Sequence, residues 1–344
     1  HDALPISITM QELANMAGVS RATVDRALNE RGRVNQKTKD RICQLAKTMG
    51  YEPDLAAKTL ASRNKIFRIG CILNSRGNTF FNDVEKGIQA AIDELNGFNI
   101  EVTTRSPEHL NASCQLTVIN DLYREGIQAL IITPLNVPEI ADRLNALIAE
   151  GIAVVALTAD ILGVNYLSYV GCNHLKSGQI TANIAGLIAP PGAKILFVLG
   201  SKSLLGHSQR LEGFLQVLNE SYPDMQVLDI IENQDDDFIS YNLVHNYIAD
   251  HPATDLIVFA AGGSTGGIRA IQDSSCHCRI ICFDLTSHNR HYLEEGLISC
   301  VLCQEPYTQG YQALKLLSGY LLLGKSPDTD RYYTKTEILV KKSL

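Results

Sequence analysis

Tryptophan is absent from the 344 residues, and all aromatics together make up only 6% of them. Stacking against a ligand therefore has to use Phe or Tyr. No apolar run approaches the roughly 20 residues of a membrane span, and nothing resembles the charged-then-apolar leader of an exported chain. The expectation is a cytoplasmic protein with no membrane partner. Nine cysteines are present, but only Cys276-His277-Cys278 and Cys300-x-x-Cys303 lie close together. The second pair falls in a predicted strand, where residues three apart point to opposite faces and cannot chelate one ion. The first has no matching second pair. No metal and no cofactor are expected. Paired carboxylates and nucleophile–base spacings are missing too, so no catalytic residues are assigned and an enzyme is not expected.

What the chain does have is the stretch Thr9 to Asn29, TMQELANMAGVSRATVDRALN. Thr9 and Glu12 form a capping box that starts a helix, whose apolar face is Leu13, Met16 and Ala17. Gly18 supplies the left-handed turn that stops it, and Ser20 caps the next helix. Val24 and Leu28, four apart, pack that second helix on the first. Arg21, Ala22, Asp25 and Arg26 then face outward, the geometry of a helix-turn-helix whose second helix enters a major groove.

The pattern continues past Asn29. Asn35 caps a third helix to about Met49, and Val34, Ile42, Leu45 and Ala46 can close a three-helix core. Gly50-Tyr51-Glu52-Pro53 stops it. Asp54 to Arg63 is a short Ala-rich helix with little to bury, marginal alone in water. Charge divides at the same place: residues 1–63 hold ten Lys/Arg against seven Asp/Glu, whereas the rest hold twenty against thirty. A basic end on an acidic body directs only the end toward a polyanion.

From Thr9 to Arg63 the chain resembles the headpiece and hinge of the lactose-repressor (LacI-type) family of bacterial transcription regulators. The matching features are the cap, AGVSxxTV, VNxKTxxRI, GYxPD and the hinge A-x-x-L. The resemblance implies that Arg21, Ala22 and Arg26 read base edges, with Thr9, Ser20, Thr23 and Asn29 at the same DNA interface. Ser20 and Thr23 would touch phosphate. Leu60 would be a wedge in the minor groove at the operator centre. Asp25 stands where many members carry Ser, and the simplest reading pairs it with an Arg of its own helix. The expected domains are a headpiece over 7–52, a hinge helix over 53–64 and a ligand-binding, dimerising body over 65–344.

In the body, apolar runs alternate with amphipathic segments, the mark of parallel sheets covered on both faces. Strands are expected at 68–73, 100–105, 129–133, 153–158, 194–199, 226–231, 256–260, 279–284, 299–304 and 337–340. Helices should begin near Phe81, Asn111, Val137, Leu175, Ser208, Ile239, Thr265, Arg290 and Tyr307. That is too many strands for one open sheet. The reading is an α/β body of two doubly wound lobes joined by crossing segments, resembling the type I periplasmic-binding-protein fold.

Ligands of such sheets bind beyond the carboxyl ends of strands. After the first strand, Asn78, Phe80 and Phe81 resemble the N-x-F-F segment that holds a sugar ring in this fold. Asn136 follows the third strand, Thr158 and Asp160 the fourth, and Asn173 comes shortly after. In the second lobe Arg210 stands in R-x-x-GF, Asp284 ends ICFD and Gln304 ends VLCQ. Gly262 belongs to the run Ala261-Gly262-Gly263-Ser264-Thr265-Gly266-Gly267, whose amides near a helix start suit an anion.

Together these features describe a dimeric repressor that binds a near-palindromic, double-stranded DNA operator. Its control would come from a small effector: a sugar, a polyol or a sugar phosphate. The alternative is a solute-binding or sensor protein of the same fold without DNA function.

Overall fold

The computed structural model describes residues 10–28, 34–49, 65–74 and 78–344. Thr9, Asn29, Leu60, the turn at 50–53 and the hinge over 53–64 lie outside the described residues. The chain divides into an N-terminal helical unit and an α/β body.

The helical unit consists of α1 (Met10–Ala17), α2 (Arg21–Leu28) and α3 (Gln36–Thr48). Gly18 lies at φ +60°, where a side chain would be strained. There Val19 N–H turns back to Ala14 O and closes α1. Ser20 Oγ accepts from Thr23 N at 3.1 Å, and Asn35 Oδ1 accepts from Lys37 N at 3.0 Å, so both act as start signals. The core is Leu13, Ala14, Ala17, Val24, Ala27, Ile42 and Ala46, with Val34, Leu28 and Leu45 packed at its edge. Burying Leu13, Val24 and Ile42 is worth roughly 2 kcal/mol each. Met16, expected on this face, is 49% exposed. At about 100° per residue it sits too far round the helix from the Leu13–Ala17 line to reach the core.

The body contains two six-stranded sheets. The first has the order β11-β5-β4-β3-β1-β2, built from β1 (Ile66–Ile72), β2 (Asn99–Arg105), β3 (Ala129–Ile132), β4 (Ala153–Leu157), β5 (Ser168–Gly171) and β11 (Arg331–Tyr333). The second has the order β12-β10-β9-β8-β6-β7. Its strands are β6 (Lys194–Leu199), β7 (Gln226–Glu232), β8 (Leu256–Phe259), β9 (Arg279–Phe283), β10 (Cys300–Cys303) and β12 (Glu337–Leu339). Side chains alternate between two clusters on each central strand: Ile131 packs on one face of the first sheet, and Leu130 and Ile132 on the other. This double burial is why β3, β4 and β8 read as unbroken Val/Ile/Leu runs.

The helices that bring residues to the cleft are α4 (Phe80–Glu94), α7 (His174–Ile188) and α8 (Leu205–Ser221), and α12 (Pro306–Leu323) returns the chain to the first lobe. Between them in sequence lie α5 (Ala112–Arg124), α6 (Pro138–Ala149), α9 (Asp237–Asp250), α10 (Ser264–Gln272) and α11 (Ser287–Glu295). Helix α7 buries Ala182 and Ala185 against the second sheet, whereas α12 buries Ala313, Leu314 and Leu317 against the first. The chain therefore crosses between lobes at Cys172–Asn173, at Gln304–Glu305 and at Thr334–Thr336. These crossings are bonded to one another. Gln304 O accepts from Gln309 Nε2 (2.7 Å) and Thr334 Oγ1 (2.8 Å), while Thr334 N donates to Gly171 O (2.9 Å). Strands β5 and β11 were not expected. Both are short, β5 lying inside the sheet and β11 at its edge, and their Ser, Tyr and Arg leave no apolar run to reveal them.

Candidate functional site

Between the lobes lies a cavity lined by both of them. From the first lobe it receives Asn74 and Asn78, which follow β1 in the chain, the rings of Phe80 and Phe81 at the start of α4, and Thr133, Thr158 and Ala159 after β3 and β4. The second lobe supplies His207 and Arg210 from α8, Asp235 after β7, Ala261 and Gly262 after β8, and Asp284 after β9. His174 and Gln304 enter from the crossing segments.

Arg210 is the central cation. It is only 3% exposed, and its guanidinium lies 4.2 Å above the Phe283 ring centroid. Nη1 donates to Ala260 O and Nη2 to Gln304 Oε1, each at 2.5 Å. Gln304 in turn donates Nε2 to Asp284 Oδ1 at 2.7 Å. Its amide orientation is fixed, because Arg can only donate and an ionised carboxylate can only accept. Two glycines make this placement possible. A Cβ on Gly178 would collide with Arg210 O, and one on Gly213 with Leu175 O, so α7 and α8 touch backbone to backbone.

Thr158 and Asp284 lie at φ +61° and +65°. Such a conformation costs a β-branched residue roughly 1–3 kcal/mol and persists where surrounding contacts impose it. For Thr158 the contacts are at its carbonyl, which accepts from His174 Nε2 at 2.6 Å and Tyr169 hydroxyl at 3.3 Å. That bond assigns the proton of His174 to Nε2. Burial, helped by Arg210, holds the His174 pKa well below the usual imidazole value, and burial also lowers that of His207. Both rings are therefore neutral at pH 7. Burial pushes the Asp284 carboxyl up to about 6 against the pull of Arg210 and Gln304, and Asp235 adds to the rise.

Three expected ligand residues stand elsewhere. Asn136 Oδ1 accepts from Leu162 N at 3.0 Å. Asp160, 4% exposed, accepts from Tyr166 hydroxyl at 2.6 Å and pairs with Arg331 at 2.5 Å, anchoring β11 to the end of β4. Asn173 is exposed and caps α7 through Lys176 N at 3.0 Å. The glycine-rich run does not form an open anion cradle either. Gly262 N donates to Asp235 Oδ1 (2.9 Å) and Gly266 N to Asp237 Oδ1 (3.0 Å), so carboxylates of the chain already occupy those amides. Asn78, Phe80, Phe81, Thr158, Arg210, Gly262, Asp284 and Gln304 do come together around the cavity. Asn74, His174, His207 and Asp235 were missed. The strand-end rule finds Asp235 once it is applied to β7; the two histidines carry no sequence signal beyond lying near helix starts.

In the helical unit Arg21, Ala22 and Arg26 are exposed on α2, and Thr23 is half-buried. Arg26 folds back, donating Nε to Ala22 O at 3.1 Å. Among the described residues no group of His, Cys, Asp and Glu could hold a metal ion, and no helix is long and apolar enough to cross a membrane.

Comparison with known proteins matches residues 9–54 to bacterial regulatory proteins of the lacI family and residues 69–326 to a periplasmic binding protein domain. Most of the chain belongs to the periplasmic-binding-protein domain family, and it carries a DNA-binding domain of the lacI family at its N-terminal end. It is 25% identical over 322 residues to catabolite control protein A of Priestia megaterium, covering 92% of this chain and 93% of the relative. It is likewise 25% identical over 323 residues to the ribose operon repressor of Bacillus subtilis, covering 91% of each. Among solved structures, a glucose–galactose binding protein from Geobacillus stearothermophilus superposes with TM-score 0.74 at 21% identity, covering 82% and 99% of the two chains. Such identity speaks for the fold alone. The body is thus of the two-lobed α/β kind, its sheets mainly parallel with β12 antiparallel to β10, and a helix-turn-helix domain precedes it in the chain.

Proposed function

We propose that this regulator is a cytoplasmic homodimeric repressor whose two headpieces bind a near-palindromic operator and whose cleft binds a sugar or a sugar-like polyol. The observation that carries the reading is the pairing of two sites on one chain. One is an exposed Arg21–Ala22–Arg26 face on the second helix of a three-helix unit. The other is a cavity lined with paired amides, carboxylates, one Arg and two Phe rings.

The named relatives, a catabolite control protein and a ribose operon repressor, support a carbohydrate effector. In this reading Thr9, Ser20, Arg21, Ala22, Thr23, Arg26 and Asn29 contact DNA, and Leu60 wedges into the minor groove. Effector binding changes lobe closure and thereby biases the hinge over 53–64 between folded and frayed. The body takes the span 65–344.

Selection of duplexes from a random pool by the full-length protein tests this reading. A near-palindromic site should be enriched, and a cognate sugar should change its Kd. Failure to enrich any site would favour the alternative, a sensor of the same fold without DNA function.

A further inference from the structure

Among the described residues, the cavity wall offers an effector a single cation. Arg210 is the only Lys or Arg among the described residues that line it, and both its terminal nitrogens are engaged by Ala260 O and Gln304 Oε1. Nε has no partner, and each terminal nitrogen keeps one further N–H. The amides of the glycine-rich run, the natural place for a phosphate, are given to Asp235 and Asp237.

Acceptors, by contrast, are in surplus. Asp235 and Asp284 both face the cavity, and each engages one oxygen with a donor of the chain, Gly262 N and Gln304 Nε2. Asn74 is 95% buried by its 5% exposure, donates Nδ2 to Thr133 O at 3.3 Å, and leaves Oδ1 with no donor at all. A buried acceptor without a partner is costly, and a ligand hydroxyl in the cleft would remove that cost. With His174 and His207 neutral, two carboxylates against one guanidinium leave the wall net negative.

We infer that this cavity selects an uncharged, donor-rich polyol or monosaccharide and refuses the phosphorylated and carboxylated forms of the same sugar, with Asn74, Asp235 and Asp284 as the residues that discriminate. The inference rests on the carbohydrate-effector reading above and sharpens it. A phosphate or carboxylate brought into this wall meets like charge in a low-dielectric space, and the one cation there, Arg210, is already engaged by Ala260 O and Gln304 Oε1. Affinity for the anionic form should be lower by at least about 100-fold than for its neutral parent.

The test is isothermal titration of the full-length protein with matched sets of ligands: neutral aldoses and polyols, their terminal phosphates, and the corresponding uronates. The expected result is binding by at least one neutral member, with its phosphate and uronate at least about 100-fold weaker. The double variant Asp235→Asn with Asp284→Asn should narrow that ratio by about tenfold or more, because it removes the negative charge while keeping the shape. Asn74→Leu should weaken the neutral sugar about tenfold; a circular-dichroism melt checks that it folds. A phosphate or uronate that binds more tightly than its neutral parent overturns the inference and leaves the carbohydrate reading standing. If no member of any set binds, the carbohydrate reading falls, and the charge selection falls with it.

Discussion

The Cys172 thiol donates to Gln304 Oε1 at 3.0 Å, the same oxygen that receives Arg210. One crossing segment is thereby tied to the side chain that links Arg210 to Asp284. Cys172 is buried, and burial raises its pKa, so it serves as a neutral donor and not as a reactive thiolate. Replacing Cys172 by Ser keeps a donor and should leave effector affinity within about twofold. Cys172→Val removes the donor and should weaken the effector about five- to tenfold. Titration calorimetry on the two variants checks the difference; equal behaviour would show that the thiol does not orient Gln304.

Acid should weaken effector binding. The folded pKa of Asp284 is raised to about 6 from an ordinary carboxyl value of 3.8. Its contribution to fold stability is therefore present below the ordinary value and lost as pH rises through about 6, where the buried group must ionise. A ligand hydroxyl that donates to the carboxylate favours the ionised form. Binding should then be tightest above pH 6 and decline as pH falls through it. Asp284→Asn should flatten that profile, measured as Kd between pH 5 and 8.

Gly262 is a contact between lobes. An added Cβ would come within 3.0 Å of Asn78 Nδ2 and 3.1 Å of Asp235 Cβ. Gly262→Ala should hold the cleft slightly open and weaken the effector about tenfold, and the same change made on top of Asn78→Ala should cost less, relative to Asn78→Ala alone. Measured affinities of the single and double variants decide the point. An undiminished cost on top of Asn78→Ala would place it at Asp235.

DNA and effector sites should separate cleanly. Arg26→Ala and Arg21→Ala should each weaken a selected operator by about 10- to 100-fold if the side chain reads a base edge. Effector affinity should not change. Competition against random duplex distinguishes base reading from phosphate contact, since a phosphate contact is lost equally on both.

Asp160 anchors structure and should behave so. Its pairing with Arg331 and Tyr166 holds β11 at the edge of the first sheet. Asp160→Ala should lower Tm by several degrees, while changing effector Kd by less than about twofold. A large loss of affinity at unchanged Tm would return Asp160 to the ligand.

Sequence reasoning reached the fold through the central strands, because β3, β4, β8 and β9 are buried on both faces and show it as continuous apolar runs. It reached Arg210, Asp284 and Gln304 through the segments around them. It failed where role depends on a third dimension. Asp160 and Asn173 follow strand ends as a ligand residue would, yet one meets Arg331 from the far end of the chain and the other turns to cap its own helix. Asp235 reads as one of three consecutive acids. Only the backbone at φ +57° carries it under Gly262. The glycine-rich run looked like an empty cradle because the sequence does not say which side chain will fill it.

The first lobe closes its core with a helix made late. Ala313, Leu314 and Leu317 of α12 pack with Val84, Ile88 and Val155, which are synthesised far earlier. At about 5–20 residues per second, roughly 150 residues separate β4 from this covering helix, a delay on the order of 8–30 s. Through that interval one face of the first sheet is covered by α4 alone, while most of the second lobe is being made behind it. The N-terminal lobe thus waits for a helix made after most of the second lobe, and a nascent chain stalled before residue 306 would expose the unfilled face to chaperones and proteases.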